Sequence, residues 1–432
     1  MRLHYSLHTS FKTVTRFLLI ATLVFTFPLS SASQRTRIFM DDIYSVRLTV
    51  DGNEDVWPVI EKGSGQVIEV SFDDLTHEYR RYTYKLEHCD FDWKPTKNLF
   101  DSEYLRSPGN EEVIDDYEPS LNTTVLYNHY RFTVPNEWME PLLSGNYRIS
   151  VMTEDDDSGE EVTAFVAYFS ILDPKVIINA TMSTNTEIDW NDKHQQLTMR
   201  INTGRLPQGN IQNEIKTVVL QNRRWDNAVI NPRPTSSMGN ELIWQYDRDL
   251  IFKAGNEYRK FEMLSCHLAG MHVDRLRWYD PYYHAEIMTD YPSRNYIYDE
   301  DQNGQSVFRN EYDTGNDTES DYFLTHFSLA MPELEGYDVY INGRWTYNNI
   351  VPAYKMTYNS SAGQYEASLL LKQGYYSYQY LALPVGKRSG ALSLIEGDYY
   401  QTENEYTILV YYKRQGDRYY QLIGMKDFSY RP

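Results

Sequence analysis

Tyr82-Thr83-Tyr84-Lys85-Leu86-Glu87-His88 sets Tyr82, Tyr84, Leu86 and His88 on one side of an extended chain, with Thr83, Lys85 and Glu87 on the other. Successive side chains of a strand point to opposite faces, so this stretch predicts a half-buried β-strand. The same period of two recurs at Tyr130, Phe132 and Val134. It returns at Tyr147, Ile149 and Val151 after the turn Ser144-Gly145-Asn146. Tyr365, Ala367, Leu369 and Leu371 repeat it, as do Tyr376, Tyr378 and Tyr380 after Gly374. After the first thirty or so residues, no long stretch carries helical periodicity. Aromatic residues make up 15% of the 432 residues and 39 of them are Tyr, a composition suited to pleated surfaces. Short strands at regular spacing between turn residues predict an all-β chain of tandem immunoglobulin-like, early-set β-sandwich domains.

A chain of this length accommodates two to four such domains. Residues 165–172 (FVAYFSIL) read as a closing strand, Asp173-Pro174 as punctuation, and Val176-Ile177-Ile178 as the start of a new run. Residues 310–321 (NEYDTGNDTESD) carry no apolar side chain beyond Tyr312 and read as a linker or long loop. The expected units are therefore 38–172, 175–315 and 320–432.

The amino terminus reads as an export signal. Arg2, Lys12 and Arg16 precede the apolar run 17–29 (FLLIATLVFTFPL), and Ser30, Ser31, Ala32 and Ser33 follow it. Cleavage after Ala32 fits the small-x-small rule and gives a signal peptide over residues 1–32. The run is too short to span a bilayer comfortably and is interrupted by Pro28. The formal charge is −20, which argues against nucleic acid and against docking on anionic lipid. Membrane insertion as a β-barrel is disfavoured too, because segments such as 80–87 (RRYTYKLE) carry too many charges for a lipid face. Cys89 and Cys266 are the only cysteines and are expected to be buried free thiols rather than a disulfide.

Motifs of catalysis are missing. The chain has no G-x-S-x-G elbow, no H-E-x-x-H and no C-x-x-C. Gly63-Ser64-Gly65 lacks a third glycine at phosphate-loop spacing and reads as a loop before a strand over 67–72. His88, His129 and His326 fall within strand patterns, where a lone His is usually a packed or surface residue. The acidic run 154–157 with Glu160 and Glu161 reads as the solvated tip of a hairpin. Asp299-x-Asp301-x-Asn303-Gly304 copies the first half of a calcium loop, but the twelfth position is Asn310 rather than Glu. With strand-like Tyr296-Ile297-Tyr298 before it, the motif predicts a tight hairpin turn at Asn303-Gly304. No cofactor, metal or catalytic residue is therefore assigned, and the partner-binding residues stay open.

Longer stretches carry a resemblance. They are residues 82–93 (YTYKLEHCDFDW), 119–123 (PSLNT) and Ser144-Gly145-Asn146-Tyr147, then 221–226 (QNRRWD) and Gly255-Asn256-Glu257-Tyr258-Arg259. Residues 371–376 (LKQGYY), Glu396-Gly397 and Thr402-Glu403-Asn404-Glu405-Tyr406 complete the set. In this order they resemble the Plug family of the bacterial type IX secretion system, found in Bacteroidetes. One departure is Tyr420 before Gln421-Leu422-Ile423-Gly424, where the family pattern has Asp. The resemblance implies a non-enzymatic periplasmic stopper. Its partner would be the large outer-membrane β-barrel translocon, whose periplasmic mouth it binds and whose pore it seals at rest.

The last unit also resembles a glycogen-binding-like early-set module, through Val339-Tyr340-Ile341-Asn342-Gly343-Arg344-Trp345, Met356, and Gly363-Gln364-Tyr365-Glu366. That gives the alternative of an exported glycan-binding protein. The position where a ring stacks on sugar falls near Asn348, however, and Trp345 reads as core filler. A hydrolase built on a carboxylate pair is a third reading, for which 61 acidic residues offer no way to choose a pair.

Overall fold

A computed structural model of the chain describes residues 35–431 except 108, 156, 157, 208 and 388; the expected signal peptide, 1–32, lies outside the described residues. The alternation at Tyr82 forms the strand Tyr82–Cys89. It pairs with Gly145–Glu154, setting Leu86 opposite Ile149 and Tyr84 opposite Val151. Glu161–Leu172 flanks that strand in turn, so the acidic run does cap a hairpin. Facing this layer is a four-stranded antiparallel sheet of Ile43–Val50, Ile68–Asp74, Asn128–Val134 and Asp116–Pro119. Val70, Phe72 and Tyr130 meet Tyr82, Ile149 and Phe165 in the core between the layers. Phe72 stacks on Tyr130 with ring centroids 5.2 Å apart and meets Tyr82 and Phe165 edge-on. These residues make the N-terminal sandwich.

The middle sandwich comes from two distant stretches. One layer holds Ile177–Ser183, His194–Asn202, Glu241–Trp244, Ser236–Met238 and Ile251–Lys253. The other pairs Arg224–Ile230 and Ile215–Gln221 with Asn404–Tyr412 and Gln421–Tyr430. Leu197, Met199, Trp244 and Phe252 pack there on Val219, Tyr406, Ile408 and Ile423. Between these stretches in sequence lies a third, inserted sandwich. Its layers are Arg259–Met263, Gly374–Pro384, Ser306–Phe308 and Tyr337–Asn342 on one side. On the other are Val273–Tyr279, Tyr282–Ile287, Tyr322–Ala330, Gln364–Lys372 and Thr357–Asn359. Phe261, Phe323, Phe327, Tyr376 and Tyr378 fill its core.

The chain is nearly all-β, and no sheet among the described residues closes into a barrel. Pairing crosses the boundary expected near residue 315. The inserted sandwich spans 259–384, and 404–430 return to the middle one. Alternation marks a strand but carries no information about which distant strand it pairs with, so the order of strands along the chain misleads here. The polar stretch 310–321 is a loop of the inserted sandwich rather than a free linker. It accepts a bond from Leu121 N at Thr318 O, and Tyr127 OH reaches both Asp317 O and Ser320 O. Residues 296–298, expected to be strand-like, form no strand. The turn at Asn303-Gly304 is present, with both residues at positive φ, but it leads into Ser306–Phe308, which pairs with Gly374–Pro384.

Leu172 pairs in parallel with Leu422, so one layer of the N-terminal sandwich continues into the middle sandwich as a ten-stranded sheet. Trp57, Val218, Leu220, Leu409, Tyr411 and Leu422 form a further core, with Trp225 and Phe91 against it. Deleting residues 404–432 should therefore unfold more than the C-terminus. Hydrogen exchange should show protection lost along His194–Asn202, a strand more than two hundred residues away in sequence; retained protection there would contradict the shared sandwich.

Candidate functional site

Three joints between sandwiches each include a residue from the stretches that carry the family resemblance. The first joint lies between the N-terminal and inserted sandwiches. Lys372, at the end of its strand, is 1% exposed on its side chain and places Nζ 2.6 Å from Oδ2 of Asp73, whose side chain is 0% exposed. Asp73 Oδ1 is 2.6 Å from His129 Nδ1, and Tyr322 OH donates to Oδ2 at 2.6 Å. Lys372 also donates to Asp317 O, and its ammonium lies 4.4 Å from the centroid of the Tyr127 ring. Burial works against the charged carboxyl. The Lys372 ammonium and the His129 bond outweigh it, so Asp73 sits at about 2, below its ordinary 3.8. Burial pushes Lys372 down, with Asp73 opposing.

The second joint is the turn between Ile215–Gln221 and Arg224–Ile230. Arg223, at positive φ, donates to the backbone carbonyls of Asp55 and Val56 in the N-terminal sandwich. Trp225 meets Trp93 and Trp57 edge-on at 6.0 and 6.4 Å. Arg224 holds Asp226 at 2.6 Å with both side chains buried. Asn222 bonds Asn404 and accepts from Glu405 N. Where the three sandwiches meet, a cavity of about 570 Å³ is lined by Trp57, Trp93, Trp225, Trp345, Arg47 and Arg344 among others. That volume lies within the usual range of ligand pockets, about 300–1,000 Å³.

The third joint is where the chain enters and leaves the inserted sandwich. Asn256 Nδ2 donates to Glu396 O, and Arg259 bridges Glu396 and Asp290 at 2.9 and 2.8 Å. Glu257 accepts from Tyr296 OH at 2.7 Å and from Glu403 N at 3.2 Å, which ties the entering and leaving strands. Beside it is an acidic cleft of about 280 Å³ lined by Asp55, Glu257, Asp299, Asp301, Glu403 and Glu405, with Arg344 and Arg431. Burial raises Glu257 to about 7, helped by Asp301 and Glu403, and raises Asp301 to about 6. The calcium-loop residues thus do not converge on a cation. Asp301 turns inward to accept from the backbone N–H groups of Tyr258 and Asn303, while Asp299 faces Lys260.

The remaining sequence candidates are packed. His88 bonds Thr96 and faces Ser144 O, and burial lowers it to about 4. His326 lies 2.8 Å from His284 and 2.7 Å from Ser368, with Glu286 opposite it on the neighbouring strand; burial lowers it, with His284 adding to the effect and Glu286 opposing. Trp345 donates its indole N–H to Ser377 O at 2.9 Å and lies against Phe327 and Tyr376, while Asn348 is buried. Cys89 is buried and Cys266 half-buried; both are free, with burial raising each thiol to about 12. Sequence reasoning missed the Asp73–Lys372 joint. Its one visible signal was a Lys at the close of an alternating apolar strand.

The profile of the type 9 secretion system plug protein 1st domain matches residues 43–173, which is the N-terminal sandwich. Among solved structures, a hypothetical protein from Parabacteroides merdae is 41% identical with a TM-score of 0.88, over 92% of this chain and 99% of that one. The C-terminal domain of the AgI/II polypeptide BspA from Streptococcus agalactiae is 8% identical with a TM-score of 0.18, covering 89% and 97%. Dimeric latent PorU from Porphyromonas gingivalis is 10% identical with a TM-score of 0.15, covering 90% and 34%; neither resemblance bears on fold or function. No curated protein matches.

These joints make three predictions. Lys372→Met strands a buried carboxylate and should cost about 3–5 kcal/mol in denaturant unfolding, whereas Lys372→Met with Asp73→Asn should cost less. The lowered Asp73 contributes stability above pH ~4 that disappears as pH falls toward 2, worth roughly 2 kcal/mol, and Asp73→Asn should flatten that acid limb. Glu257 has the opposite sign: its raised value lets it fold at no cost below its unfolded range near 4.5, with stability lost as pH rises toward 7. Glu257→Gln should raise the melting temperature at pH 8 and leave it unchanged at pH 4.

Proposed function

The chain belongs to the type IX secretion system plug family, and we propose that it binds the periplasmic mouth of that system's large outer-membrane translocon barrel and closes the pore when no substrate is passing. The observation that carries this reading is the family match to the N-terminal sandwich, joined to a 41% identical relative of the same three-sandwich fold over nearly its whole length. A stopper has to hold its shape against a pore. Three sandwiches locked by a buried ion pair, a tryptophan cluster and a shared sheet supply stiffness without a hinge of exposed linker. The work is binding and release, and the titratable groups are spent on joints rather than on a reacting centre.

In this reading attachment to the outer membrane runs through the partner; among the described residues, no helix is long and apolar enough to cross a membrane. The glycan-binding alternative loses its platform because the Trp345 ring is engaged in packing and in the bond to Ser377.

A strain lacking the gene should become sensitive to a bulky antibiotic that an intact outer membrane excludes, and a tagged chain should recover the barrel from detergent extracts. An unchanged barrier in the deletion strain counts against the pore-closing role. Retardation of the purified chain on an α-glucan affinity gel would restore the alternative.

A further inference from the structure

At one end of the middle sandwich, two loops present large apolar side chains to solvent. Trp190 is 75% exposed, Ile188 54% and Tyr246 70%. Single exposed apolar residues are ordinary, but three on adjoining loops are not. The loops adjoin because Gln196, buried between them, accepts from Glu187 N and donates to Asp247 O.

This knob is rigid. Asp189 anchors it from beneath, accepting from Thr186 Oγ1 at 2.8 Å and from Lys193 N at 3.0 Å, and lying 2.7 Å from His194 Nδ1. Asn191 N donates to Thr184 O, and Thr186 N donates to Asp189 O, closing the loop on itself. A bridge between Asn185 and Trp190 completes it. Rings held out by a fixed backbone lose little freedom on docking, and Trp and Tyr dominate binding energy at interfaces. Nothing inside this sandwich requires Ile188 and Trp190 to face water.

Charge selects the occupant. On the two loops Glu187, Asp192, Asp247 and Asp249 stand against Lys193 and Arg248, while Asp189 is engaged beneath by His194. An acidic rim is repelled by anionic lipid. A second copy of this chain docked through the same patch would bring two acidic rims together. From the exposed rings, their rigid support and this rim, we infer that the 188–190 and Tyr246 knob is the surface that docks on the partner, in an apolar pocket bordered by Lys and Arg. The inference rests on the pore-plug reading and names the face that makes the contact.

The test uses the full tagged chain. Trp190→Ala should lower recovery of the barrel about tenfold or more while the melting temperature stays within about 2 °C. The triple reversal Glu187→Lys, Asp192→Lys and Asp249→Lys, which leaves the apolar side chains in place, should weaken recovery as well. Trp138→Ala, 55% exposed on the N-terminal sandwich, should have no effect. Equal recovery by wild type and both altered knobs overturns the assignment and leaves the pore reading standing. No recovery by wild type removes the pore reading, and this one with it. Binding to vesicles of phosphatidylethanolamine and phosphatidylglycerol that Trp190→Ala abolishes would assign the knob to lipid instead, and a dimer dissolved by Trp190→Ala would assign it to self-association.

Discussion

The contact between Lys372 and Asp73 constrains everything around it. A charge that is wholly removed from water has to meet its counter-charge and fill its remaining bonds, or the joint does not close. Here the ammonium reaches Asp73, the carbonyl of Asp317 and the face of Tyr127, and the carboxylate also holds His129 and Tyr322. Tyr322 in turn bonds Ser45, so the contact spans three strands of the N-terminal sheet and two of the inserted sheet. Apolar surfaces alone tolerate sliding by a residue or two. A point of this kind admits one register, and its value lies in that specificity more than in net stabilisation.

The strands were legible in the sequence. Period two at Tyr82, Tyr147 and Tyr376 located three core strands, and the acidic run 154–161 marked a true hairpin. Burial went further than alternation implied. Tyr147, Tyr378 and Tyr380 are wholly buried because each hydroxyl finds an acceptor, Leu143 O for the first and Asp290 for the other two. The assembly was less legible. Nothing local in 404–412 says that these residues lie beside 215–221, and a polar composition at 310–321 looks the same in a free tether as in a loop clamped through the carbonyls of Asp317, Thr318 and Ser320. The joints were present in the sequence only as the stretches that carry the family resemblance. Arg223-Arg224-Trp225-Asp226, Gly255-Asn256-Glu257 and Leu371-Lys372-Gln373 each turned out to lie where one sandwich touches another.

Several buried carboxylates and arginines are held by one another and by nearby hydroxyl and backbone groups, within a sandwich as well as between sandwiches. Asp226 is gripped by Arg224, Asp290 by Arg259 and two tyrosines, and Glu396 by Arg259 and the backbone of Tyr380. Two faces differ. The acidic cleft keeps carboxyls whose burial is not fully matched by cations, so the crossing between middle and inserted sandwiches is the part of the body that loses stability as pH rises toward 7. The knob at Trp190 keeps apolar surface that no internal packing claims.

The split middle sandwich also sets a schedule for assembly. A chain emerging amino end first displays 177–253 long before 404–430 exist, so half of this sandwich waits with its apolar layer uncovered while the inserted sandwich completes itself. The closing hairpin then adds its edge to the N-terminal sheet at Leu172 and finishes the middle core in one step. A chain interrupted before residue 404 leaves that core open. Proofreading is thereby written into the topology: the hairpin at 404–430, made after the inserted sandwich, certifies the sandwich begun before it.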